Sequence, residues 1–250
     1  VMQGKLYAIG TGPGASDLIT VRAARLLEKL DVLYAPVGRK GSSSLALSIV
    51  EEYLGESIQI KEQHFPMTAN TAEKQQVWDE VADEIKTDVT SGKQVGFITL
   101  GDSMLFSTWV FLLERLLHQI DIDVIPGITS FSAIASQAQF PLCMEQQSLA
   151  VMPCTAEPDV LRSALKNHEC VVLMKVYGRF VQIRQLLDEL DLLDHAILMA
   201  NASMQSEICY FDLRVLSPED TLPYFSTILV NKTRMGSSIK KSAEPDFVVD

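Results

Sequence analysis

Short apolar runs of strand length alternate with stretches of helical period along this chain, and nothing else in it narrows the fold as much. Residues 5–9 read as a strand and 20–30 as a helix, with apolar positions at Val21, Ala24, Leu27 and Leu30. Residues 32–35 make a second strand ended by Pro36, and "SSSLALSIVEEYLG" a helix with serines in front and Gly55 behind. Residues 57–61 alternate with period two, 70–91 give a long polar helix closed by Gly92, and "KQVGFITL" is a buried strand. A helix over 106–117, a strand over 122–125 and a helix over 129–138 complete a β-α-β series. Such a series predicts a mainly parallel sheet with helices on its faces and ligands outside the carboxyl ends of its strands. Those ends are residues 10–14, 36–44, 101–106 and 126–130.

After "QFPLCMEQQ" the pattern changes. Strands over 149–152 and 170–175 alternate with helices over 158–167 and 179–190, and strands over 196–201, 208–213 and 225–230 follow without long helices between them. This half predicts a smaller mixed sheet with antiparallel pairing. The expectation is an α/β protein of two domains, 1–142 and 143–233, each with a central mostly parallel or mixed sheet. Residues 234–250 have little periodicity and read as a flexible tail.

Composition removes several function classes. Hydrophobic residues make up 47% of the 250, enough for a sizeable core. Lysine plus arginine number 21 against 32 acidic residues, a net charge of −11. A nucleic-acid coat or an anionic membrane surface calls for the opposite balance, whereas an anionic small molecule needs only a local positive pocket. Cys143, Cys154, Cys170 and Cys209 form no C-x-x-C pair and read as buried, reduced thiols. His64, His118, His168 and His195 show no metal-ligand spacing, so no metal site is expected. With neither a leader-like start nor an apolar run of membrane length, the expected location is the cytoplasm, and the N-x-T at Asn231 is a chance sequon.

The loop after the first strand, "GTGPGASDLIT", satisfies the loose G-x-G-x-x-G/A spacing through Gly10, Gly12 and Ala15. A dinucleotide loop, however, puts its last glycine on the first turn of a helix. Here Pro13 interrupts the glycines and helical period begins only near Thr20. The acid that should hold a ribose hydroxyl at the end of the second strand is also missing, since Asp31 precedes that strand. The same absence argues against Rossmann-like methyltransferases, and no G-K-[ST] supports a phosphate loop. A tight turn with no ligand remains the plain alternative.

Two further carboxyl-end loops, "LGDSMLFST" and "PGITSFSA", join the glycine loop. In this order and spacing the three resemble the tetrapyrrole (corrin and porphyrin) methyltransferases, and the likeness continues through "VVLMKVYGRF" and "LPYFSTILVNK". The resemblance implies two α/β domains with S-adenosyl-L-methionine bound in the cleft between them. It implies cofactor contacts at Pro13, at Leu100, Gly101, Asp102 and Leu105 around the methionine end, and at Thr129 and Ser130 on a helix start. In the second domain it implies Met174 against the adenine, with Ala202 and the stretch Phe225, Ser226 and Thr227 as backbone partners. Many relatives have proline after the Gly-Asp, where this chain has Ser103.

Within the family, "APVGRKGSSSLALSIV", "HFPM" and "LMKVYGRF" look most like the branch that methylates C20 of the corrin precursor. Its substrate would be cobalt-factor II in the anaerobic route, the branch this chain resembles more, or alternatively metal-free precorrin-2 in the aerobic one. Methyl transfer from a sulfonium to an electron-rich meso carbon needs chiefly alignment, so no triad is expected. Asp102 and Tyr177 are the candidates for proton handling, and Arg39, Lys40, Lys175 and Arg179 for the substrate carboxylates. The family habit implies a homodimer. Rival readings are a methylase of another corrin carbon, the related enzyme acting on a modified histidine, a tetrapyrrole carrier without catalysis, and a nicotinamide enzyme. Relatives of the histidine enzyme carry Thr-Thr-His where this chain has "MLFST".

Overall fold

The computed structural model describes residues 3–38, 44–65 and 71–236. The chain divides into two compact units, Val1–Ser130 and Phe131–Asp250. The first unit holds β1 (Lys5–Gly10), α1 (Val21–Leu27), β2 (Val32–Val37), α2 (Leu45–Val50), β3 (Gln59–His64), α3 (Ala72–Thr90), β4 (Gln94–Thr99), α4 (Trp109–Leu116) and β5 (Ile122–Ile125). Its strands form a five-stranded sheet in the order β3-β2-β4-β1-β5, with every pair parallel.

Strand alternation supplies two cores, one on each face. Val95 and Phe97 of β4 meet Trp78 and Ile85 of α3 and Trp109 and Leu112 of α4. Ile98 faces the other way, with Ile9 and Leu33, onto Leu27 of α1 and Ile49 and Val50 of α2. Burial on both faces explains why these strands read as continuous apolar runs.

Several boundaries differ from the sequence expectation: α1 stops at Leu27 rather than 30, β3 runs over Gln59–His64 rather than 57–61, and two further differences have a visible cause. Pro36 does not end β2, which runs to Val37 paired with β3, whereas pairing with β4 stops at Tyr34. Beyond Tyr34 the strand has a single neighbour, and such an edge tolerates a residue with no N–H. The helix expected from 106 begins at Trp109, because Phe106 takes φ +48, outside the helical region.

The second unit is led by α5 (Ser130–Gln137), followed by β6 (Leu149–Pro153), α6 (Pro158–Asn167), β7 (Cys170–Met174), α7 (Phe180–Glu189), β8 (Ala196–Ala200), β9 (Ile208–Tyr210) and β10 (Ser226–Asn231). Its sheet has the order β6-β7-β10-β8-β9, parallel at β6-β7 and antiparallel elsewhere. Ile134, Ala138 and Phe140 pack with Val172, Ile197 and Leu229. That packing places the segment after Ser130 with the second unit, ahead of the division expected at 142. The strand expected over 208–213 stops at Tyr210, and Asp212 caps a short 3-10 turn by accepting from Arg214 N.

The cysteines form no disulfide. Burial pushes the Cys154 and Cys209 thiols up to about 12 and Cys170 to about 11. Cys143 is exposed, against expectation, since it lies on the loop between α5 and β6. Asn231 is fully buried and donates to Pro141 O, so its sequon lies inside the fold. The segment expected to be a tail lies, from residue 237, outside the described residues. Among the described residues no helix is long and apolar enough to cross a membrane.

Candidate active site

In the first unit the exits of β4, β1 and β5 are neighbours along the sheet, and four glycines let their loops touch. A Cβ on Gly10 would stand 2.6 Å from Gly101 O, and one on Gly127 only 2.1 Å from the same oxygen. Gly12 and Gly101 exchange backbone hydrogen bonds of 3.2 and 2.8 Å, both at positive φ. Gly10 and Gly12 of the opening loop are thus required first by backbone packed on backbone. Asp102 adds a latch, its Oδ1 accepting from Gly127 N at 3.0 Å. Ser103 is fully buried with its hydroxyl 2.9 Å from that of Thr99, so a hydrogen bond braces the turn where relatives use proline.

Around this knot lie the residues implied by the resemblance. Pro13 and Gly101 are buried, and Leu100, Asp102, Leu105, Thr129 and Ser130 are half-buried. Leucine side chains, a carboxylate and loop amides suit a ligand with an apolar thioether-like middle and an ammonium end. Asp31 sits at the opposite, amino end of the strands, where its carboxylate accepts from Gln94 N at 2.8 Å. Among the described residues no acid stands at the end of β2.

In the second unit the end of β7, the end of β8 and the start of β10 share one sheet edge. Met174 packs half-buried beside the core and its carbonyl accepts from Cys154 N at 2.7 Å. Lys175 takes φ +59, and residues 176–179 form a turn closed by Arg179 N to Val176 O at 2.9 Å, with Gly178 at φ +74. Lys175, Tyr177 and Arg179 are all exposed on this exit. Ala202, Ser226 and Thr227 are buried, and Phe225 O accepts from Asn201 N at 2.9 Å. The Ser226 hydroxyl donates to Pro223 O at 2.6 Å, which leaves backbone rather than side chain for a ligand there. Arg39 and Lys40 lie outside the described residues.

Other chemistry-bearing groups serve the fold. The Nδ1 atoms of His64, His168 and His195 bond to Val37 O, Ser148 Oγ and Arg234 O at 3.3, 2.9 and 2.5 Å. Among the described residues no group of His, Cys, Asp or Glu is arranged to hold a metal ion. A surface groove of about 440 Å³ beside α6, lined by Met152, Val160 and His168 among others, contains none of the residues assigned to the cofactor or the substrate.

The family model of the tetrapyrrole (corrin/porphyrin) methylases matches residues 5–214. The chain belongs to that family. It is 57% identical over 231 residues to the cobalt-precorrin-2 C(20)-methyltransferase of Salmonella typhimurium, covering 92% of this chain and 98% of the relative. Identity to the precorrin-2 C(20)-methyltransferase of a Sinorhizobium species is 30%, covering 91% and 95%. The fold agrees: the crystal structure of a cobalt precorrin-4 methyltransferase superposes with a TM-score of 0.72 at 20% identity, covering 91% of this chain and 94% of that one. A Thermus thermophilus uroporphyrin-III C-methyltransferase complexed with S-adenosylhomocysteine gives 0.62 at 22% identity, covering 92% and 99%. The motif resemblance thus becomes family membership, and the two α/β units are the family's fold.

Sequence reasoning missed Tyr224. It is 57% exposed and its ring centroid lies 5.9 Å from that of Tyr177. The only signal was an aromatic pair, "YF", ahead of an apolar strand.

Proposed function

We infer that the protein transfers a methyl group from S-adenosyl-L-methionine to C20 of cobalt-factor II, the cobalt-bearing corrin precursor. The observation that carries this reading is the 57% identity to the Salmonella C20 enzyme across nearly all of both chains, against 30% to the enzyme named for metal-free precorrin-2. When bound, S-adenosylmethionine supplies an electrophilic methyl on a sulfonium. Pro13, Leu100, Gly101, Asp102, Leu105, Thr129 and Ser130 hold the methionine portion. The Asp102 carboxylate, fixed by Gly127 N, offers the negative charge an ammonium needs, and Leu100 and Leu105 keep water away. Met174, Ala202, Phe225, Ser226 and Thr227 hold the adenine.

Catalysis is then mainly alignment of the acceptor carbon, for which several kcal/mol of barrier reduction is available in principle. Asp102 and Tyr177 are the groups assigned to the proton that C20 loses. Lys175 and Arg179, together with Arg39 and Lys40, are assigned to the substrate's carboxylates. We assign the protein a homodimeric state on the strength of the family habit, and keep the cytoplasmic location expected from the sequence.

The test is a turnover assay with methyl-labelled S-adenosylmethionine and both macrocycles side by side. Label at C20 of cobalt-factor II is expected, with the metal-free form the poorer acceptor. Transfer to precorrin-2 alone would move the protein to the metal-free route, a reading that the Sinorhizobium similarity supports. Transfer to neither would overturn the C20 assignment.

A further inference from the structure

Tyr177, Tyr224 and Phe225 are 41%, 57% and 40% exposed, yet their rings touch one another. Tyr177 and Tyr224 lie 5.9 Å apart at 54°, and Tyr224 and Phe225 5.1 Å apart at 86°. Large aromatic side chains left in water at a strand edge cost the hydrophobic free energy that burial would return. This group is also held in place. Tyr177 occupies the turn closed by Arg179 N and Val176 O, whose Gly178 has φ +74, and none of the described residues stands within 4 Å of a Cβ there. Tyr224 is carried on the bend that the Ser226 hydroxyl ties to Pro223 O. Lys175 and Arg179 flank Tyr177 on the same exit, both exposed.

A rigid aromatic surface rimmed by cations fits a flat conjugated ligand that carries carboxylates. Adenine is flat but has no carboxylate, and of this aromatic group only Phe225 is among its assigned partners, beside Met174 and the buried Ala202, Ser226 and Thr227, whereas neither tyrosine is. We propose that Tyr177 and Tyr224 form a stacking surface for the tetrapyrrole macrocycle, with Lys175 and Arg179 taking its carboxylates. This gives both tyrosines a positioning role for the acceptor, beside the proton role assigned to Tyr177, and neither is among the assigned cofactor contacts. The proposal rests on the methyl-transfer reading above.

The experiment uses full-length Tyr177→Leu, Tyr224→Leu and Tyr177→Phe. Affinity for cobalt-factor II is followed by its absorbance change, affinity for S-adenosylmethionine by calorimetry, and mass by light scattering. Each leucine variant is expected to weaken macrocycle binding about tenfold, the loss of one aromatic contact, with cofactor affinity and mass unchanged. Tyr177→Phe keeps the ring and is expected to keep the macrocycle affinity. Wild-type macrocycle affinity in both leucine variants would overturn the proposal, as would a parallel loss of cofactor affinity, which would give the surface to adenine. A fall in mass would overturn it too, giving the surface to a second copy of the chain. Uroporphyrin, a flat octacarboxylate, separates the two readings: if the wild type methylates neither corrin precursor, the function fails alone. Uroporphyrin binding that is lost in the leucine variants would then still support the surface, and no binding to the wild type would sink it.

Discussion

Asp102 separates two roles that one side chain performs. Its Oδ1 holds Gly127 N at 3.0 Å, a structural duty, while its charge is the part assigned to the cofactor. Asp102→Asn keeps an oxygen for Gly127 and removes the charge. Its unfolding midpoint should stay near wild type while KM for S-adenosylmethionine rises about tenfold, the worth of one charge-assisted hydrogen bond. Asp102→Ala should lose about 1 kcal/mol of stability as well, and equal kinetics in the two variants at wild-type KM would confine Asp102 to the latch. Gly127 makes the complementary prediction. A methyl group there would sit 2.1 Å from Gly101 O, so Gly127→Ala should cost about 1–3 kcal/mol in denaturant unfolding, as overpacking does.

Among the elements, α3 is tied to the sheet by charge as well as by apolar contact. Asp88 of α3 accepts from Tyr34 of β2 at 2.6 Å, from Lys61 of β3 at 3.1 Å and from Lys93 at 3.3 Å, and Lys61 also meets Glu84 at 2.7 Å. Burial alone would raise the Asp88 pKa, but the bonds from Tyr34, Lys61 and Lys93 outweigh it and hold the carboxyl below its ordinary value. Burial, reinforced by Asp88, pushes the Tyr34 phenol far upward, so it keeps its proton. A depressed carboxyl pKa contributes stability that is fully present above the unfolded value, roughly 3.9, and is lost as pH falls through the folded one. Asp88→Asn should therefore lower stability at neutral pH by about 2 kcal/mol and flatten the acid limb of a stability–pH curve below roughly pH 4. An unchanged acid limb would show that other carboxylates set it.

For the whole molecule, two units each bury their own core, and the acidic total of −11 coexists with Lys175 and Arg179 beside exposed tyrosines. Light scattering on the assigned dimer should give twice the 27.7 kDa chain mass, and a chain-mass value at micromolar concentration would remove that assignment. Substrate carboxylates held by exposed cations are screened within about 10 Å at 0.1 M salt. Raising salt should accordingly increase KM for the macrocycle more than KM for S-adenosylmethionine.

Element type and order were legible in the chain because apolar period and turn residues act over a few neighbours. Asp31 argued against a dinucleotide from its position before a strand, and the structure places its carboxylate at the start of the strands, against Gln94 N. The motifs around Gly101, Gly127 and Met174 were enough for the family. What they could not show depends on partners far away in the chain. Pro36 lies inside β2 because pairing with β4 ends at Tyr34, and Tyr224 meets Tyr177 only when β10 pairs with β7. Gly10 and Gly127 are forced to be glycine by the oxygen of Gly101, once β4, β1 and β5 lie side by side. Local sequence decides which residues become strand, helix or turn, whereas close packing of separate loops decides which of them touch, and that exists only after the sheet has ordered its strands.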